Sequence, residues 1–208
     1  MAFSIYNHPH LYRWAMLLAY GKEYAARYAA MADAVGQPSD VLEVCCGDLA
    51  LYRHLRSRGL VKSYRGLDLA PAMVARARRQ GVQAEVCDVR AAPSFPAAEV
   101  VAMQASLYQF HEAAASLLKR LWRAAGRALV ICEPVRNFSQ SSLPLLRWLA
   151  LLLSRPTDGR DCVFRYAEES LRALYAEAGI PMTTVSFTPT RKEMVIVSRK
   201  PSVGQRAC

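Results

Sequence analysis

A chain of 208 residues with 53% apolar side chains is long enough to bury a full core and too apolar to remain disordered. Its formal net charge is +10, and five of its 27 basic residues are lysine, the rest arginine. These cations are scattered from Arg13 to Arg206 with no block of five or six, which argues against a nucleic-acid-binding tail and leaves contact with RNA or an anionic membrane as alternatives.

Residues Leu11 to Val35 carry apolar groups at helical spacing, with Gly21 marking a break between two helices. Gly36 to Asp40 is a turn cluster. Val41 to Cys45 reads as a short strand, and Asp48 to Arg58 as a helix stopping at Gly59. Tyr64 to Leu69 is a second strand, followed by a helix that starts at Pro71 and runs to Gly81. Val82 to Cys87 is a third strand. Glu99 to Gln104 is a fourth, after the Pro93 to Pro96 loop. Glu112 to Ala125 is a helix closed by Gly126, and Ala128 to Cys132 a fifth strand stopped by Pro134. Ala167 to Ala178 is a helix closed by Gly179. Two last strands, Met182 to Phe187 and Met194 to Ser198, are split only by Thr188 to Lys192, a link short enough for a hairpin. Strands alternating with helices of this length predict an α/β fold: a doubly wound, mostly parallel sheet covered on both faces, its C-terminal strand antiparallel.

Residues 1–200 read as one domain. It has an N-terminal helical cap (1–36), a lid-like apolar insertion (136–166) and a tail (201–208). Six cysteines, Cys45, Cys46, Cys87, Cys132, Cys162 and Cys208, form no CxxC pair, so buried free thiols in a reducing compartment are expected, and no metal site. The longest apolar stretch, Leu143 to Leu153, is broken by Pro144 and Arg147 and falls short of the ~20 residues that span a bilayer. The N-terminus lacks a signal-peptide layout. A soluble, cytoplasmic protein is expected.

In an open α/β sheet, ligands bind beyond the carboxyl ends of the strands. The turn Cys45 to Leu49 lies there, with Gly47 and Asp48 in it. Asp68 closes the second strand 21 positions after Gly47, the distance at which an acid reaches ribose hydroxyls. Asp88 closes the third. Aligned with the dinucleotide fingerprint GxGxxG/A, Cys45 to Ala50 keeps the second glycine and the final alanine and loses the first glycine. The alignment also sets Asp48 beside a pyrophosphate, where like charges repel. A sulfonium cofactor reverses the sign and welcomes the carboxylates of Glu43 and Asp48.

On these residues the chain resembles the class I S-adenosylmethionine-dependent methyltransferases. Val41 to Asp48 is similar to their glycine-rich first motif, with Glu43 in its acidic place. Tyr64 to Met73 is similar to the next, Cys87 to Val89 to the adenine-binding step, and Val100 to His111 stands at the fourth-strand motif. The resemblance implies a Rossmann-like sheet of seven strands and S-adenosylmethionine as cofactor. It implies contacts from Glu43, Cys45, Gly47, Asp48, Asp68, Leu69, Asp88, Val89 and Gln104, with Asp68 on both ribose hydroxyls and Asp88 with the Val89 amide at the adenine edge. The family usually has glycine where Cys45 and Leu49 stand. Cys45 suits a strand-end conformation but takes up space near the amino-acid end of the cofactor, and Leu49 is not expected to adopt a positive φ easily.

Simpler readings stand beside these. Asp68 can cap the next helix, Asp88 can be a turn acid, and Asp48 can be an N-cap. Glu43, inside an apolar strand, needs a partner of some kind, an arginine or a ligand. Tyr108 and His111 are candidate catalytic residues that take a proton if the acceptor is a hydroxyl or ammonium; a lone His there is as readily a surface residue. Glu133, Arg136 and Asn137 after the fifth strand, and Arg165, are candidates for substrate binding, or else form a turn with a salt bridge. Leu143 to Leu153, with Trp148, is a core helix, a lid over a greasy substrate or a membrane-touching patch. The aromatic N-terminus (Tyr6, Tyr12, Trp14, Tyr20, Tyr24, Tyr28) closes over the cofactor or simply packs. The (N/D)PP(Y/F) signature of nucleic-acid amino methylation is absent, the stretch reading Met103-Gln-Ala-Ser106. The expected activity is therefore in-line methyl transfer to a small, apolar or lipid-like acceptor. An RNA methyltransferase and a non-catalytic binding or partner protein are the alternatives.

Overall fold

The computed structural model describes residues 8–135 and 164–201. The expected lid over Leu143 to Leu153, Trp148, Tyr6, Cys162, Cys208 and the tail from residue 202 lie outside the described residues. Among the described residues are seven strands: β1 (Ser39–Val44), β2 (Val61–Asp68), β3 (Gln83–Val86), β4 (Ala98–Gln104), β5 (Ala125–Pro134), β6 (Thr184–Phe187) and β7 (Glu193–Arg199). They form one sheet in the order β3-β2-β1-β4-β5-β7-β6. The pairs β1–β2, β1–β4, β2–β3 and β4–β5 are parallel. β7 runs antiparallel to both β5 and β6, as the short hairpin link requires.

Side chains alternate between the faces of the sheet. On one face Val41, Val100, Ala102, Val130 and Val195 pack beneath α1 (Pro9–Tyr20), α2 (Lys22–Val35), α3 (Ala50–Ser57) and α4 (Pro71–Arg79). On the other, Leu42, Val44, Val101, Met103, Leu129 and Ile196 pack beneath α5 (Ala114–Ala124) and α6 (Glu168–Ala178). Burial on both faces explains why the central strands read as continuous apolar runs. Gly21, with φ +52°, separates α1 from α2 where the helical spacing placed the break.

Element boundaries differ from the sequence expectation by a few residues, and at the fourth and fifth strands the difference changes the local structure. The helix expected over Glu112 to Ala125 is preceded by a 3₁₀ segment, Leu107–Ala113, with a kink at Phe110. Its end is not capped by Gly126: β5 begins at Ala125, and Gly126 lies inside the strand against the Ala98 carbonyl. Among the described residues, no helix is long and apolar enough to cross a membrane.

Candidate active site

β1 and β4 are neighbours in the sheet, but the chain leaves β1 for α3 on one face and β4 for α5 on the other. The connections part there and open a crevice at the carboxyl ends of the two strands. The loop after β1 shapes it. Cys45, Gly47 and Leu49 all have positive φ, at +60°, +49° and +64°. The backbone thus adopts the alternating left-handed path that glycines would favour, with glycine at one position of three.

For Leu49 this corrects the expectation, and burial is the reason. Its side chain is 1% exposed and lies in the core beneath the first group of helices. Burying a leucine contributes about 1.5–3 kcal/mol, against a left-handed cost of about 1–2 kcal/mol. Cys45 also departs from the extended conformation expected of it. Its half-buried side chain packs against the opposite core beside Ser106, and burial pushes its thiol well up. Cys46 folds the loop down onto β2. A Cβ on Gly66 would stand 2.7 Å from the Cys46 sulfur, so this strand position has no room for a side chain.

Carboxylates line the tips of β1 and β2. Glu43 is 2% exposed, and the Tyr64 hydroxyl donates to its Oε2 at 2.5 Å. Burial raises its pKa to about 8; Tyr64 and Arg53 pull it down, and the charges of Asp48 and Asp68 push it further up. Tyr64 is thus the partner that the buried acid needed. Asp48 is neither an N-cap nor a free ligand group: Tyr24 donates to its Oδ2 at 3.0 Å, and Arg53 pairs with it at 2.8 Å. It ties the loop to α2 and α3.

Asp68 accepts from the Gly47 amide at 2.8 Å and from the Ala70 amide at 2.9 Å, one on each oxygen. The acid 21 positions on from Gly47 therefore closes onto that glycine and also steadies the start of the next helix. Each oxygen retains a lone pair for a further donor. Asp88 stands at the tip of the next paired strand, exposed, its Oδ1 accepting from the Arg90 amide at 2.9 Å, the turn geometry considered for it. Val89 is buried in the second core, and Leu69, beside Asp68, is half-buried and belongs to neither core.

The far side of the crevice is built from the ends of β4 and β5. Glu133 is a correction. It is fully buried, and its carboxylate accepts from the amides of Ser106 (2.7 Å), Leu107 (2.8 Å) and Tyr108 (3.3 Å). It caps the 3₁₀ segment instead of facing a substrate; burial still lifts its pKa to about 7. Tyr108, Arg165 and His111 come together as an aromatic and cationic wall. The Arg165 guanidinium lies 4.1 Å over the Tyr108 ring, and His111 stacks on Phe164 at 4.5 Å, with Tyr166 edge-on to Phe164. Burial pushes the Tyr108 phenol up to about 12. Arg136 and Asn137 lie outside the described residues.

Helix α2 supplies groups that the sequence reading passed over or gave only a loose covering role. Tyr28 donates to Gln104 at 3.2 Å and stacks on His54, while Tyr24 holds Asp48. Arg27, fully buried, pairs with Glu193 of β7 at 2.5 Å and lies over the Tyr20 ring at 3.8 Å. Glu193 also accepts from the Cys132 thiol at 3.2 Å. The signal was the pattern Glu23-Tyr24-x-x-Arg27-Tyr28, polar and aromatic groups on the stripe of a helix that also buries Met31 and Val35. Trp14 turns outward, 67% exposed, and does not cover the crevice.

The model of a family described as "Methyltransferase domain" matches residues 41–129. No curated protein sequence matches the chain significantly. Among solved structures, magnesium protoporphyrin IX methyltransferase from Synechocystis, crystallised with bound SAH, is similar at a TM-score of 0.65 and 15% identity over 95% of this chain and 97% of that one. Human N-acetylserotonin methyltransferase, in complex with SAM, is similar at 0.65 and 17% identity, covering 95% of this chain and 58% of that one. A chain from the Haloferax volcanii complex of the Trm112 methyltransferase activator with its methyltransferase reaches 0.68 at 14% identity, over 97% of this chain and all of the other. At such identities these likenesses concern the fold, which is that of the Rossmann-like methyltransferases. Residues 41–129 thus match a methyltransferase domain, in a fold shared with a methyltransferase structure that holds S-adenosylmethionine.

The residues present suit that cofactor. Glu43, Asp48 and Asp68 act on one another electrostatically, with Arg53 as counter-charge. That balance favours a ligand carrying a sulfonium and an ammonium. A Cβ built on Gly47 would meet no atom within 4 Å, so the loop faces open space.

Proposed function

We propose that the chain transfers the methyl group of S-adenosylmethionine to a small, apolar or lipid-like acceptor by in-line displacement. The observation that carries this reading is the gathering of Glu43, Asp48 and Asp68 at the tips of adjacent strands around an open glycine loop. The carboxylates of Asp48 and Asp68, joined by that of Glu43 above about pH 8, attract a cationic cofactor and repel a pyrophosphate. In this reading Gly47 and Cys45 border the amino-acid end, with Glu43 as its nearest buried acid. Asp68 takes the ribose hydroxyls. Leu69 lies against the adenine, and Asp88 with the Val89 amide meets its edge.

The sulfonium supplies a methyl group that is already activated. What remains for the protein is alignment and exclusion of water. Tyr108 stays a neutral phenol, since burial pushes its pKa up to about 12, and so it orients an acceptor by donating a hydrogen bond. His111 takes the proton where the acceptor is a hydroxyl or an ammonium. Gln104, held by Tyr28, borders the transferring methyl, and Arg165 steadies the acceptor across the Tyr108 ring. The aromatic wall of Tyr108, Phe164 and Tyr166 supports an apolar acceptor. A cytoplasmic setting is part of the proposal, supported by the free thiols at Cys45, Cys46, Cys87 and Cys132.

Calorimetry with S-adenosylmethionine and its demethylated product tests the site. Binding of both is expected, and binding of neither favours a non-catalytic partner protein. Methyl-labelled cofactor, incubated with the protein and separate lipid, small-molecule and RNA fractions, tests the acceptor. Label in the lipid or small-molecule fraction is expected; label confined to RNA refutes the proposed acceptor.

A further inference from the structure

Helix α1 has two apolar sides. Met16, 6% exposed, faces inward. Leu11, Trp14, Leu17 and Leu18 are 48%, 67%, 38% and 77% exposed. At 100° per residue these four span an arc of about 120° opposite Met16. The helix contains no acidic residue. Arg13 borders the arc and is exposed, and Lys22 follows at the start of α2. α1 packs against α4, whose last turn carries Arg76, Arg78 and Arg79, the latter two exposed. A contiguous apolar ridge containing a tryptophan and flanked by cations is thus presented outward on a chain of net charge +10.

We infer that α1 is a docking surface for an anionic lipid bilayer, lying in the plane of the interface with Trp14 and Leu18 inserted and Arg13, Lys22 and Arg79 against the headgroups. Charge selects this occupant. The ridge supplies apolar insertion, and its flanks complement negatively charged headgroups. RNA would use the cations and leave Trp14 and Leu18 in water. A second copy of the chain would bring one cationic rim against another. The inference is independent of methyl transfer, because it concerns the outer side of a helix whose inner side packs on α2 and α4.

The test uses the full chain with vesicles of phosphatidylcholine alone and of phosphatidylcholine containing roughly one third phosphatidylglycerol. Expected are co-sedimentation with the anionic vesicles only, weakening as salt rises, and a blue shift of tryptophan emission that Trp14→Phe removes. Trp14→Ser with Leu18→Ser should weaken binding at least about tenfold, and Arg13→Glu with Arg79→Glu should abolish the preference for the anionic lipid. All four side chains are exposed, so circular dichroism and the melting temperature should stay unchanged. No binding to anionic vesicles overturns the inference, as does binding that survives loss of Trp14 and Leu18. A concentration-dependent dimer that the same double substitution dissolves assigns the ridge to a second copy and overturns it equally.

Discussion

Glu43→Gln separates what the buried acid costs the fold from what it gives the ligand. Glu43 sits on the central strand, 2% exposed, and burial raises its pKa from 4.5 to about 8. Between those two values the native protein keeps a proton that the unfolded chain has released. Stability from this group is therefore complete below about pH 4.5, declines as pH rises, and is gone above about pH 8. A shift of that size corresponds to about 3–5 kcal/mol. Glutamine offers Tyr64 the same acceptor oxygen and cannot ionise. In urea denaturation the variant should match the parent near pH 5 and exceed it by several kcal/mol near pH 8.5. Calorimetry at the higher pH should show S-adenosylmethionine binding about tenfold or more weaker, because one of the carboxylates proposed to face its positive charge has gone, while the uncharged thioether product loses less. A variant no more stable than the parent at pH 8.5 would refute the electrostatic account of this site.

Asp68→Ala leaves the Gly47 and Ala70 amides without their acceptor and removes the proposed ribose contact, so the thermal midpoint should fall and affinity for the demethylated product should drop about a hundredfold, measured by calorimetry; an unchanged affinity would remove Asp68 from the site. Restoring the glycine pattern should act oppositely at its two positions. Cys45→Gly should stay within about 1 kcal/mol of the parent in denaturant titration, whereas Leu49→Gly should lose about 2 kcal/mol or more, since the cavity outweighs the relieved strain. Glu133→Gln sets an amide nitrogen against one of three backbone N–H groups and should cost about 1–3 kcal/mol by chemical denaturation. Gly66→Ala should destabilise by about 1–3 kcal/mol, and Cys46→Ala in the same chain should recover part of that loss in a double-mutant cycle, because a single contact at 2.7 Å dominates.

The order of the described strands and helices was legible in the amino-acid pattern, with boundary errors of a few residues. The reason is local: apolar runs punctuated by Gly and Pro record backbone preferences that neighbours along the chain set for themselves. The acids that end β1, β2 and β3 were legible for the same reason, since a strand end is a property of one segment. Partners were not. That Tyr64 satisfies Glu43, that Tyr24 and Arg53 occupy Asp48, and that Glu133 turns onto three amides of the preceding loop are contacts between segments 5 to 27 positions apart. The same holds for Leu49, whose left-handed conformation contradicts its local preference and persists because α2, α3 and the sheet close over its side chain. Folding decides such cases by burial, which is summed over the whole molecule and therefore leaves no mark in any one stretch of sequence.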